Sequence, residues 1–177
     1  MIGLKRGTVK LVPPQKKWSK SFMVEKKKIE AMPLKQKINV EHIGSTAINN
    51  MPAKPIIDLA VGTKKFKDGY RLIKSLETLG YKYRPKASKK NSRLFFRKGS
   101  DSRVTHHLHV IKYQGRVWQD LISFRDYLNK SKSTAKSYLK LKKNLSHKFF
   151  NNRKKYLAGK NKFIKSIVKK IKIRQDL

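Results

Sequence analysis

The 177-residue chain has no cysteine and few acids, with 10 Asp and Glu against 46 Lys and Arg. The first absence excludes disulfides, thiolate nucleophiles and cysteine-held zinc, so any nucleophile, base or metal ligand must be another side chain. The second makes every carboxylate nameable: Glu25, Glu30, Glu41, Asp58, Asp68, Glu77, Asp101, Asp120, Asp126 and Asp176. No apolar run approaches the roughly 18 residues that span a bilayer. Residues 1–10 also lack a continuous apolar stretch, which predicts no membrane insertion and a cytoplasmic location.

What is present in excess is positive charge, formally +36 with a pI near 10.6. The basic runs Lys26-Lys27-Lys28, Lys64-Lys65, Lys142-Lys143, Arg153-Lys154-Lys155 and Lys169-Lys170 are spread along the chain, as for a generally basic surface of solvated lysines. Such a surface attracts RNA or another polyanion, and salt weakens that attraction through counterion release. The 38% apolar and 10% aromatic content still suffices for the core of one domain over residues 1–177.

Apolar spacing organises that domain. Trp18, Phe22, Ile29 and Met32 predict a helix over 15–32, with Glu25 on the same inward stripe and therefore in need of a partner. Residues 37–43 alternate as a strand that runs into Gly44-Ser45-Thr46. A second strand spans 56–61 and is expected to stop at Gly62. Asp68 is expected to cap a helix carrying Leu72, Ile73, Leu76 and Leu79 and closed by Gly80. Strands at 94–98 and 103–112 follow, joined by a turn through Gly99-Ser100-Asp101-Ser102. Beyond Gly115 three helical stripes remain: Val117, Leu121, Phe124 and Leu128; Tyr138, Leu141, Leu145 and Phe149; Ile164, Ile167, Val168 and Ile171. The expected fold class is mixed α/β (α+β), an α/β core over 1–112 and a helical part over 113–177.

Three groups of residues could carry chemistry. Glycine and serine at Gly44-Ser45, at the end of a strand, let a phosphate approach the backbone, and a helix starting there would aim N–H groups at it. An ordinary turn or helix cap has the same appearance. Asp58 lies between Ile56 and Ala60 on the strand face opposite Ile57, Leu59 and Val61, where a lone acid is disfavoured unless it is paired or ligating. In the run Thr105-His106-His107-Leu108-His109, alternation puts His107 and His109 on one face. They could share a metal ion or a substrate, or simply face solvent.

Five ordered blocks then carry a resemblance: Glu41-His42-Ile43-Gly44-Ser45-Thr46-Ala47, Pro52 to Leu59, Leu94 to Gly99, His106 to Val110, and Phe124 to Leu128. From about Val9 to Ile171 the chain resembles the GrpB family, also called UPF0157. The resemblance implies a nucleotidyltransferase-like mixed β-sheet flanked by helices. It also implies phosphate or nucleotide binding at Gly44, Ser45, Thr46 and Lys54, with Asp58 as a metal ligand and catalytic residue. In the superfamily so implied, a carboxylate stands two positions after that Asp, whereas this chain has Ala60. Glu41, His107 and His109 are then the other candidate ligands for a divalent metal, magnesium or manganese, or zinc through histidine. His107 or His109 would otherwise activate the acceptor hydroxyl in transfer from a nucleoside triphosphate substrate. Two readings follow: a nucleotidyltransferase with an unknown acceptor, or a binding module for nucleotide or RNA that has lost catalysis.

Overall fold

The computed structural model describes residues 2–34, 36–100 and 102–175. The described residues form one mixed sheet with helices on both faces. In chain order these are β1 (Leu4–Lys5), α1 (Lys17–Glu30), β2 (Asn39–Ile43), β3 (Ile57–Thr63), α2 (Leu72–Thr78), β4 (Tyr81–Tyr83), β5 (Leu94–Gly99), β6 (Arg103–Lys112), α3 (Arg116–Lys130), α4 (Lys132–Lys148) and α5 (Arg153–Gln175). The strand order is β2-β3-β6-β5-β4, with β1 pairing with the start of β6. Only β3 and β6 run parallel; the other neighbours are antiparallel.

Alternation assigns the two faces as expected. Ile57, Leu59 and Val61 join Leu108, Val110, Leu94 and Phe96 in the main core, covered by Trp18, Phe22 and Ile29 of α1 and by Leu72 and Leu76 of α2. The opposite face is filled at one end by Ile43, Ala60, Ile111 and Trp118. Beyond it, Phe124 and Leu128 of α3 pack with Tyr138 of α4 and with Phe163, Ile164, Ile167 and Val168 of α5. All three C-terminal stripes therefore form helices, and those helices stand over one sheet face.

Several expectations need correction. Asp68 does not cap α2: it lies in a 3₁₀ segment, Phe66–Arg71, where its carboxylate accepts from the Lys65 backbone N–H at 3.2 Å. β3 runs through Gly62 to Thr63, because glycine there makes room for the Trp118 ring, which a Cβ would approach to 2.8 Å. No α-helix starts at Gly44; Ser45–Ala47 form a single 3₁₀ turn. The short strands β1 and β4 are held by pairing with β6 and β5, contacts that no local pattern announces. Asp101, in the expected 99–102 turn, and Asp176 lie outside the described residues. Among the described residues no helix is long and apolar enough to cross a membrane.

Lys142, one of the basic residues expected in solvent, is 1% exposed; its Nζ lies over the Tyr138 ring and donates to the Pro52 carbonyl. Glu25 has the partners its inward position demands. Tyr81 donates its hydroxyl to Glu25 at 2.9 Å, and Lys98 donates to both carboxylate oxygens at 2.8 and 3.0 Å. Burial pushes the Glu25 carboxyl up, but Lys98 and Tyr81 outweigh it and hold it below the usual range. Removing one partner strands the other charge, so Glu25→Ala is expected to lower unfolding free energy by about 3 kcal/mol in urea titration. An unchanged midpoint would show that Lys98 finds solvent without Glu25.

Candidate active site

The site rests on strand register. Parallel pairing sets Asp58 opposite His107 and Ala60 opposite His109; antiparallel pairing adds Ile43 beside Asp58 and Phe95 beside His109. Residues directly opposite each other on neighbouring strands share a face. Asp58, His107 and His109 therefore converge, and Phe95 packs between the two imidazoles at 5.2 Å from each ring.

His107 donates its Nδ1–H to Asp58 Oδ1 at 2.9 Å, and its Nε2 accepts from an Arg153 guanidinium N–H at 3.3 Å. Asp58 is therefore paired, and its partner is a histidine. Burial raises the Asp58 carboxyl, but the hydrogen bond and charge of His107, with His109 and Lys54, hold it down at about 2. Burial pulls His107 below its usual range against the opposing pull of Asp58, and takes His109 to about 3. Near neutral pH the pair is a carboxylate and a neutral imidazole, with Nε2 as the basic nitrogen.

Gly44 shapes the other side of Asp58. Its φ of 72° is in the left-handed region, and a Cβ would lie 2.6 Å from Asp58 Oδ2. Glycine thus lets the carboxylate lie against the turn. Ser45 lines the same cleft, while the Thr46 hydroxyl is engaged with His42 Nε2 at 3.0 Å. Glu41 does not join Asp58: it lies beside Ala60 and accepts from Arg125 at 2.7 Å, an arginine that also donates to the His42 carbonyl and to Asp126. The conformation of the Phe124 to Leu128 block is thereby tied to the end of β2.

Above this floor α3, α4 and α5 enclose a cleft of about 1280 Å³. Ten of its lining residues are Lys or Arg and two are acids, Asp58 and Asp120. Asp120 is taken by Lys172 at 2.6 Å and Asp58 by His107. The expected phosphate ligand Lys54 lies over the Tyr156 ring at 5.6 Å, with Lys160 over the same ring at 4.8 Å. Burial, then repulsion from Arg153 and Lys160, lowers the Lys54 ammonium to about 7. Burial, then Lys160 and Lys54, lowers Lys142 to about 6. Arg153, Lys160, Lys142 and Tyr156 carry no local signal of this role beyond the basic runs at 142–143 and 153–155, because α4 and α5 reach the site only through packing.

Of the expected metal donors, Asp58 and His107 are bonded to each other and Glu41 is paired with Arg125. Among the described residues no three His, Asp or Glu side chains are placed to hold one ion. Asp58 is the single carboxylate on the cleft floor, and Glu41 is spent on Arg125.

These features define a mixed α/β protein with an Asp–His pair on the floor of a cation-walled cleft. The chain belongs to the GrpB family: the family model described as GrpB protein matches residues 8–170. It is 36% identical over 171 residues to the glutamate-rich protein GrpB of Alkalihalophilus pseudofirmus, covering 95% of this chain and 98% of that one. It is 32% identical over 159 residues to the UPF0157 protein YqkA of Bacillus subtilis, covering 89% of this chain but 46% of YqkA. The crystal structure of conserved protein GrpB from Enterococcus faecalis superposes with a TM-score of 0.81 at 31% identity, over 91% of this chain and 96% of that one.

The lowered lysines give a measurable pH dependence. An unfolded lysine keeps its proton to about 10.4, so between pH 7 and 9 the unfolded chain holds protons that folded Lys142 has released. Stability is then expected to rise with pH across that window. In urea unfolding at pH 7, 8 and 9, Lys142→Met should lower the slope by on the order of 1 kcal/mol per pH unit. An identical slope in the variant would show that Lys142 stays protonated.

Proposed function

We propose that this protein transfers a nucleotidyl group from a nucleoside triphosphate to a hydroxyl acceptor within the cleft. The observation that carries the reading is the Asp58–His107 hydrogen bond beside the Gly44–Ser45 turn. Asp58 fixes the tautomer of His107, leaving Nε2 to take the proton of an acceptor hydroxyl. The oxygen so freed attacks the α-phosphorus, the bond to the β-phosphate breaks, and diphosphate leaves. The cationic wall compensates the charge that develops on the leaving group. Asp58, the carboxylate on the cleft floor, would hold a magnesium ion together with the substrate phosphates, and the ion would supply charge neutralisation there. The +36 charge favours a polyanionic acceptor such as RNA.

A second reading, nucleotide or RNA binding without transfer, is favoured by one observation: Ala60 beside His109, where a second carboxylate would complete a two-metal site. Labelled nucleoside triphosphates, magnesium or manganese, and total RNA distinguish the two. Wild type is expected to yield labelled product, with Asp58→Asn and His107→Gln reducing the rate at least about 10²-fold. Retained nucleotide binding with no product from wild type would favour the binding module.

A further inference from the structure

Three nitrogens with no hydrogen-bond partner line the cleft: Arg93 Nε, His109 Nδ1 and Arg153 Nε. Arg153 is the most informative, because its other end caps the basic nitrogen of His107 at 3.3 Å. Two more cations, Lys54 and Lys160, lie on the ring of Tyr156, three residues further along α5. Among the described residues the wall offers these cations one carboxylate, Asp58, which attracts both Lys54 and Arg153, while Asp120 is paired with Lys172. Arg153 and Lys160 also repel Lys54, so the cluster is held together by packing against its own electrostatics. A planar guanidinium offers a fork of donors suited to phosphate oxygens, which a neutral imidazole nitrogen cannot match.

We infer that Arg153, Lys54 and Lys160 form a subsite for a diphosphate group, and that filling it draws Arg153 off His107 and uncovers Nε2. The inference rests on the proposed cleft chemistry and adds to it the seat of the two outer phosphates and a device that leaves the base capped until they arrive. Arg153 acts here as a positioning residue: it withholds the base from other hydroxyls, water included, while the cleft is empty of phosphate.

Inorganic diphosphate is the probe, with two readouts: binding by calorimetry, and acylation of His107 by diethyl pyrocarbonate, resolved by peptide fragmentation. In wild type, diphosphate should bind and should raise His107 acylation several-fold. Arg153→Gln should leave His107 reactive without diphosphate and weaken diphosphate binding at least tenfold. Lys160→Gln should weaken binding while His107 stays protected in its absence. Lys20→Gln with Lys27→Gln, exposed on α1 across the sheet, should change neither readout. Circular dichroism confirms that each variant is folded, and the Lys160 variant tests the subsite should Arg153→Gln not fold. Equal diphosphate affinity in all variants, or His107 reactivity indifferent to diphosphate, would overturn the inference. Diphosphate-dependent uncovering without any nucleotidyl transfer would retain the subsite and reject the transferase reading instead.

Discussion

The parallel pairing of β3 with β6 is the constraint on which the rest of the molecule depends. It joins the two strands that carry Asp58 and His107 and fixes which residues face each other across them. Because side chains alternate, the same register that places Ile57, Leu59, Leu108 and Val110 in the core places Asp58, Ala60, His107 and His109 on the opposite face. A slip of one residue would send His107 into the core and bring His106 to the cleft. The burial of the apolar row therefore holds the polar row in place, and the 2.9 Å hydrogen bond between Asp58 and His107 follows from it.

The two sheet faces treat charge in opposite ways. On the core side Glu25, Lys98 and Tyr81 form a closed set in which the buried acid has all the partners it needs. On the cleft side Lys54 and Lys160 lie on Tyr156 and Arg153 on His107, with Asp58 the one carboxylate that attracts Lys54 and Arg153. Desolvated cations that outnumber their counter-ions are costly, and the protein meets that cost by lowering the Lys54 and Lys142 ammonium groups and by resting Lys160 on the Tyr156 ring. An anionic ligand would relieve the same strain directly, which makes the cleft electrostatically suited to phosphate before any particular ligand is named.

Much of this was legible in the sequence. Apolar spacing placed α1, the central strands and the three C-terminal helices, because each buries one face and must repeat with its own period. Alternation alone grouped Asp58 with Ala60, and His107 with His109. The short strands β1 and β4 have no sequence signature because two or three residues carry no period, and pairing with longer neighbours holds them. The start of α2 is not legible because an Asp before an apolar run has the same pattern whether it caps an α-helix or lies in a 3₁₀ segment.

The sequence by itself determined the faces of the strands, the shortage of carboxylates and the vacancy at Ala60, since these depend only on order and alternation. Only the tertiary structure decided which partner each polar group meets. It turned Glu41 toward Arg125, took the Thr46 hydroxyl for His42, buried Lys142 beneath Tyr138, and brought Arg153 to His107 across 46 positions of chain. The reason is physical: a lysine or arginine on a basic helix has the same local pattern in solvent as over a cleft, and the packing of α4 and α5 against the sheet settles which it is.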